Sequence, residues 1–466
     1  MRRRLRGWVP AAPVCVLAAA LLSGCAKPGP NYSRPPLTVP QQFRFDNTAQ
    51  AESIADVPWW QFFDDPYLQA LIREAIAGNL DLRAAIARVE QARAQAGIAR
   101  SFLYPRVDGV AEYEAFQHTG SDLDGVQHGG RYGLAVAWEA DLFGRIRRES
   151  EAAYAELLAT DQGRRGVLVT LVGDVASNYF LLRELDNALA ISRSTLAVND
   201  RTVTFFTDRL QGGVSNRLEV DRIRANRAQT AAAVPDIERR IATVENLICL
   251  LLGRPPGPIA REAAELVPTV APALPPGLPA ALLERRPDVA QAEQLLVAAN
   301  ADIGAAKALF FPNISLNGFL GGANGVATLT LGGLGFLWST GAQLLQPVYQ
   351  GGRLTRNLEA ARARFDEALA QYRKAALNGY REVSDALVTI QKLAEARVER
   401  QSAVVSLQDA AELARARYDA GLANYLEILT ADQELFQEQL LLAQNLGAEF
   451  RARADLYRAL GGGWQL

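Results

Sequence analysis

The sequence of 466 residues is poor in the side chains that carry most metal and redox chemistry, with two histidines and three cysteines. His118 and His128 share one polar, glycine-rich stretch, and two histidines without a carboxylate scaffold are a weak metal signal. No phosphate-binding loop, HExxH motif or GxSxG motif is present. We therefore expect no catalytic residue, no metal site, no cofactor and no enzymatic activity.

Long apolar runs and an excess of positive charge are also missing. The sequence has 49 basic and 51 acidic residues, and four of the basic ones lie in the first six residues. Without those four, the charge is about −6, and no basic patch indicates a nucleic-acid partner. After the N-terminal region no stretch approaches the ~20 apolar residues of a membrane-spanning helix. A membrane role would have to come from strands or from a lipid anchor.

The N-terminus predicts export and lipidation. Residues 1–24 have the basic start and short apolar stretch of a signal peptide, and Leu22-Ser23-Gly24-Cys25 is similar to a bacterial lipobox. We predict a diacylated, N-acylated Cys25 and, because Ala26 follows instead of Asp, sorting to the outer membrane. An ordinary signal peptide with an incidental cysteine is the alternative. Cys249 would then be the only remaining thiol, and we interpret it as a small buried apolar residue.

An internal repeat dominates the rest of the chain. Gly144–Gly253 aligns without a gap on Gly352–Gly461, and residues 79–105 align on 286–312 with matched Gly and Pro positions. The predicted organisation is a signal peptide at 1–24, a lipidated tail at 25–60, a first repeat at 61–254, a Pro-rich linker at 255–280 and a second repeat at 281–466.

Each copy is predicted to contain a helix, a hairpin, a very long helix and a shorter helix. Alternating apolar and polar residues place strands at about 106–117, 131–140, 313–321 and 334–346. Four strands cannot close a barrel, so strands that meet lipid require an oligomer. Residues 144–211 and 352–419 contain no proline, and each could form a helix of ~100 Å. Pro235 has Ala443 at the equivalent position and should kink the returning helix of the first copy only.

Four segments in the same order carry a family resemblance that covers nearly the whole chain after the leader. They are GPNYSRPP (29–36), PWWQFFDDPYLQALIREAIAGN (58–79), VPDIERRIATVENLICLLLGRPPG (234–257) and LLERRPDVAQAEQLLVAANADIGAAKALFFPNISL (282–316). The chain resembles the TolC-like outer-membrane efflux channels, in their lipoprotein branch. This implies a mainly α fold with a small β part: a homotrimer in which twelve strands form an outer-membrane β-barrel, continued by a long periplasmic α-helical barrel.

The resemblance also implies a gate at the two interhelical turns, residues 211–216 and 419–424. The family carries an acidic residue six positions after each turn glycine, which here gives Glu219 and Glu427. Further residues implied for the aperture are Leu426, an apolar constriction, Tyr418, which makes polar links in the family, and Thr430, where a second acid is replaced. Ala423 stands where some members have arginine, so the family latch does not carry over in full.

The same turns would be the docking site for a periplasmic adaptor, through Gly212, Gly213, Val214, Gly421 and Leu422. The alternative for both glutamates is a solvated position on an amphipathic helix. The expected function is a passive exit duct for small toxic compounds, working with a periplasmic adaptor (a membrane fusion protein) and an inner-membrane pump of the RND type. Two alternatives remain open: a duct of a protein-secreting exporter, and a coiled-coil lipoprotein that tethers without conducting.

Overall fold

A computed structural model describes residues 28–45, 53–54, 57–118, 125–261, 279–324 and 335–462. The predicted signal peptide and Cys25 lie outside these residues. The described elements are, in chain order, α1 (Trp59–Phe62), α2 (Pro66–Gly78), α3 (Leu80–Ser101), β1 (Arg106–His118), β2 (Gly125–Ala140), α4 (Arg145–Gln211), α5 (Arg217–Leu252), α6 (Pro279–Arg285), α7 (Pro287–Ala308), β3 (Asn313–Asn324), β4 (Gly335–Leu345), α8 (Arg353–Asp419) and α9 (Tyr425–Ala459).

The predicted duplication is confirmed in the element order, because helix, hairpin, long helix and shorter helix occur twice. The two long helices, α4 and α8, each have 67 residues. The helix α5 continues through Pro235, whereas α9 has Ala443 at that position. Within the described residues, no helix combines the length and apolarity needed to cross a membrane.

The chain divides into two compact units, and the first contains the sheet. It comprises the described residues up to Pro36, together with Arg88–Asp161 and Gln291–Arg373. All neighbouring strands pair antiparallel in the order β1-β2-β3-β4. Pairing of Val136 with Val107 and Gly318 sets the register, so Tyr132, Leu134, Val136 and Trp138 share one face. The opposite face carries Arg131 and Glu139, which gives the sheet one apolar and one polar surface.

The first hairpin is longer than its sequence pattern indicated. β2 begins at Gly125, before the predicted start at 131, because its pairing with β1 continues to His118 opposite Gly125. Glycines at 125, 129 and 130 gave this stretch the composition of a turn, but backbone hydrogen bonding does not require side chains that favour strands.

The first unit also fixes the N-terminal segment 28–36, which we call the strap. Gly29 has φ of 108°, and a Cβ on it would lie 2.5 Å from the Cα of Gly304 on α7. A Cβ on Gly304 would clash with the Arg148 side chain and the Pro28 carbonyl. The side chain of Arg148, only 1% exposed, donates to the Pro30 carbonyl (3.3 Å) and the Asn31 side chain (3.1 Å). Arg34 binds Glu293 through two hydrogen bonds of 2.9 and 2.6 Å. The strap is therefore part of the packed structure.

The second unit contains the largest apolar core and comprises Leu37–Ala87, Gln162–Ala290 and Lys374–Leu466. Asp65 caps α2 as predicted, accepting from the amides of Tyr67 (2.9 Å) and Leu68 (3.1 Å). Its second oxygen accepts from the Tyr179 hydroxyl at 2.6 Å, which ties this cap to α4. Around it pack buried side chains from both copies, including Trp59, Phe63, Ile72, Val175, Ile248 and Tyr457.

Candidate functional site at the two interhelical turns

The two turns have the same backbone structure. Gly213 and Gly421 have φ of 74° and 72°, the left-handed conformation that favours glycine. In the first turn the Val214 amide donates to the Arg209 carbonyl at 2.9 Å, and in the second the Leu422 amide donates to Arg417 at 2.8 Å. Each turn glycine also donates to the residue three positions earlier. This is the Schellman pattern, which ends α4 and α8 identically.

The helices that follow begin with the same residue type. The side chain of Asn216 accepts from the Glu219 amide at 2.9 Å, and that of Asn424 accepts from the Leu426 amide at 3.0 Å. Asparagine is among the best N-cap residues, because its short side chain satisfies amides of the first turn. The residues after the turn glycines remain in solvent, with Val214 67% and Leu422 72% exposed.

An apolar cluster packs the two turns against each other within the second unit. Its buried members are Phe206, Val220, Ile223, Ala414, Tyr425, Ile428 and Leu429, with Val203, Leu210 and Tyr418 partly buried against them. The rings of Phe206 and Tyr425 are 4.3 Å apart, and Tyr418 packs edge-on to Tyr425 at 5.8 Å. We call the two turns and these side chains the turn cluster.

The two predicted glutamates have different partners. Glu219 is half-buried and accepts a hydrogen bond of 2.8 Å from the Ser215 hydroxyl. Glu427 lies 3.4 Å from the Nε of Arg417, and both side chains of this pair are about half exposed. A neutral partner leaves the full charge on Glu219, whereas a solvated ion pair partly compensates that of Glu427.

The other predicted aperture residues fall in and around the turn cluster. Tyr418 belongs to it, whereas Leu426 is 47% exposed and Thr430 is exposed. Within the described residues, the Tyr418 hydroxyl makes no hydrogen bond. Sequence reasoning missed the roles of Arg209, Ser215 and Arg417. Their only signal was the arginine that recurs at 209 and 417 in the repeat.

Burial changes the acid–base properties of two groups beside the turns. It raises the pKa of Tyr425 to about 12, because the phenolate would be desolvated in the turn cluster. Burial also raises the pKa of Asp432, although its ion pair with Arg415 at 2.6 Å opposes the shift. Tyr425 is therefore neutral at pH 7 and contributes packing, whereas Asp432 contributes an ion pair with Arg415.

The described residues hold no group of three or more side chains suited to bind a metal ion. The His128 ring nitrogen is 2.7 Å from the Tyr113 hydroxyl, and its ring stacks on that tyrosine. Cys249 is fully buried, with its sulfur 3.3 Å from the Gly257 carbonyl. The site therefore consists of backbone turns, an aromatic cluster and charged side chains.

Comparison with known proteins gives the family of a chain with these features. The model of the outer membrane efflux protein family matches residues 71–254 and 278–462, one match in each copy of the repeat. The cation efflux system protein CusC of Escherichia coli is 33% identical over 460 residues, covering 97% of this chain and 98% of CusC. The solvent efflux pump outer membrane protein SrpC of Pseudomonas putida is 34% identical over 465 residues, with the same shares covered.

The fold agrees with a solved structure of the same class. The outer-membrane channel OprN superimposes with a TM-score of 0.86 at 31% identity, covering 95% of this chain and 100% of OprN. Outer-membrane factors of tripartite efflux systems form homotrimers and work with an adaptor and an inner-membrane pump. Both the resemblance and the fold class predicted from the sequence are confirmed, and the tether alternative is not supported. The chain belongs to the outer membrane efflux protein family and is an outer-membrane efflux channel, not an enzyme.

Proposed function

We propose that the turn cluster is the gate of this channel, at the periplasmic end of a homotrimer. The observation that supports this most directly is the pairing of the two turns: identical backbone structures, packed on one apolar cluster, each followed six residues later by a glutamate. Three chains would bring six such carboxylates to one opening. Rings of like charge concentrate cations and repel one another where an opening is narrow.

The proposed docking surface for the periplasmic adaptor lies on the two turns. It consists of the exposed Val214 and Leu422 and the turn glycines Gly212, Gly213 and Gly421. Apolar side chains held in solvent by rigid Schellman turns suit a partner that packs onto the turns. On this proposal Leu426, Tyr418 and Thr430 line or support the aperture. Cys25 carries the acyl chains that anchor the protein in the outer membrane.

The cargo class follows from the relatives. CusC is named for cation efflux and SrpC for solvent efflux, and we propose that this duct passively conducts small toxic compounds of these kinds. The inner-membrane partner would be a pump of the RND type. With no nucleotide site in the sequence, the energy for transport would come from that pump.

Ion selectivity in planar bilayers tests the gate. The wild-type channel should prefer K⁺ to Cl⁻ in a KCl gradient, and Glu219→Gln combined with Glu427→Gln should move the permeability ratio toward unity. The substitution keeps shape and removes charge, so loss of the carboxylate field is the physical reason. Glu238→Gln on α5, which removes an exposed carboxylate paired with Arg193, is the matched control.

An unchanged permeability ratio in the double variant would contradict the assignment of Glu219 and Glu427. An equal loss in Glu238→Gln would show that the effect is not specific to the turns. Absence of any conductance in the wild type would contradict the gate assignment altogether.

A further inference from the structure

We propose that Arg209 is a positioning residue that holds the two turns together through a cation–π contact with Tyr418, and that Ser215 leaves Arg209 available by binding Glu219. This inference rests on the proposed gate and deepens it. It places the link between the turns in a cation–π contact that originates in the first turn.

The equivalent arginines of the two turns contact different groups. The carbonyls of Arg209 and Arg417 accept the same hydrogen bond in the two Schellman turns, so the side chains leave the backbone at matching positions. Arg417 pairs with Glu427 of its own turn at 3.4 Å. Arg209 forms no ion pair with a described residue. Its guanidinium carbon instead lies 5.5 Å from the Phe205 ring centre and 6.0 Å from that of Tyr418.

One sequence difference explains the divergence. Ser215 precedes the cap Asn216, and its hydroxyl donates to Glu219 at 2.8 Å. The equivalent of Ser215 in the second turn is Ala423, which has no hydroxyl to offer. Glu427 therefore pairs with Arg417, whereas Glu219 already accepts a hydrogen bond from Ser215. Arg209, without a carboxylate, packs on the aromatic side chains.

The environment of Arg209 strengthens this contact. Its Nε is buried and has no hydrogen-bond acceptor among the described residues. Arg209 as a whole is partly buried, and a partly desolvated guanidinium gains more from an aromatic face than a fully exposed one does. Because Tyr418 also packs against Phe206 and Tyr425, Arg209 of the first turn is connected to the second turn and to the cluster beneath both.

This arrangement also bears on the missing family arginine at position 423. The guanidinium that contacts Tyr418 belongs to Arg209 of the first turn, and it contacts the aromatic ring. The ring of Tyr418, rather than its hydroxyl, should then be the part that holds the turns together. Tyr418→Phe and Tyr418→Leu separate these two possibilities, because the first variant keeps the ring and the second removes it.

The test is the open fraction of the reconstituted trimer in planar bilayers. Arg209→Met keeps much of the length of the side chain and removes its charge. One such contact is worth roughly 2- to 30-fold, and because the trimer loses three, the open-to-closed ratio should rise at least ~2-fold. Tyr418→Leu should act in the same direction. Arg209→Lys and Tyr418→Phe retain a cation and a ring and should stay much closer to the wild type.

Ser215→Ala tests the choice of partner without touching the contact itself. Removal of the hydroxyl frees Glu219 to pair with Arg209, as Glu427 pairs with Arg417, so the variant should open more easily than the wild type. Adding Glu219→Gln to Ser215→Ala should restore the closed state, because the competing carboxylate is gone. Glu219→Gln alone, which also removes charge repulsion at the opening, sets the baseline: with a purely structural role of Ser215, Ser215→Ala would open the channel as much in the Glu219→Gln background as in the wild type.

Arg201→Met, the same change two helical turns earlier on α4 at an exposed position, is the control, and native gels should show trimers for every variant. The inference is overturned if Arg209→Met opens no more than Arg201→Met, if Tyr418→Phe opens as much as Tyr418→Leu, or if Glu219→Gln fails to rescue Ser215→Ala. The proposed gate is tested separately, by the dependence of ion selectivity on Glu219 and Glu427. If that dependence is found together with any of these results, the gate assignment holds and only the role of Arg209 is wrong.

Discussion

The first and second turns share a backbone and differ in their side-chain chemistry. Gly213 and Gly421 have nearly the same φ, and an asparagine caps the next helix in both. Around this common frame, Ser215 and Ala423 give the neighbouring glutamate different partners. A duplicated structure can thus retain the residues that specify its backbone, while single side-chain differences change which groups its charges pair with.

The largest expected difference between the turns concerns pH. Tyr425 begins α9, and its equivalent at the start of α5 is the exposed Arg217. Because burial raises the pKa of Tyr425 to about 12 from an ordinary 10, its contribution to stability is complete below pH 10 and is lost as pH rises through 12. The loss can reach about 3 kcal/mol.

Unfolding of the solubilised trimer at pH 9 and pH 12 measures this effect. Between these values the wild type should lose more stability than Tyr425→Phe, which has no hydroxyl to ionise. Titration of the other tyrosines affects both proteins equally and cancels in the comparison. Equal losses in the two proteins would show that Tyr425 does not feel the burial that the turn cluster imposes.

A second difference between the copies lies away from the turns, at Gly447 of α9. A Cβ at this position would lie 2.3 Å from Oε2 of Glu184, a buried carboxylate that pairs with Arg451 at 2.5 Å. Its equivalent in the first copy is Arg239, which is 68% exposed. Gly447→Ala should therefore lower the free energy of unfolding by about 2 kcal/mol, although alanine is the better helix former.

Denaturant unfolding provides the measurement, with Arg239→Ala as the matched substitution in the other copy. That control should change stability by less than ~0.5 kcal/mol, as exposed positions usually do. A stabilised Gly447→Ala protein would mean that the helix propensity of alanine outweighs the contact with Glu184.

The smallest expected effect is a loss of stability that should be the same for both turns. Gly213→Ala and Gly421→Ala should each cost about 1 kcal/mol, because alanine in the left-handed region is strained and no atom within 4 Å of either added Cβ makes a further difference. Hydrogen exchange at the amides of Val214 and Leu422 would report the local loss. Clearly unequal effects would disprove the structural equivalence of the two turns.

Much of this fold could be predicted from local signals. These signals act through backbone geometry within a few residues, so a single sequence is enough to recognise them. They include the glycines at 213 and 421, the cap Asp65, and the matched Gly and Pro positions in the two copies. The start of β2 was missed because strand pairing is a long-range property. The pairing of Gly125 with His118 satisfies both backbones, whatever the composition of the hairpin.

The partners of the charged side chains could not be predicted. Arg417 and Glu427 are ten residues apart on different helices, and Arg209 and Tyr418 belong to different copies of the repeat. Such contacts depend on how helices pack and on which rotamers remain free, and a repeated arginine alone does not distinguish an ion pair from a ring contact.

The strap has a mechanical consequence. Cys25, the predicted lipid attachment residue, is three residues before Pro28, and three residues can span at most ~11 Å. Gly29 lies against the backbone of Gly304, and after that contact Arg148 binds the strap at Pro30 and Glu293 binds it at Arg34. On the proposed lipidation of Cys25, a force on the acyl chains would reach α4 and α7 almost without slack. The anchor would then resist displacement of the channel as well as its diffusion away from the membrane.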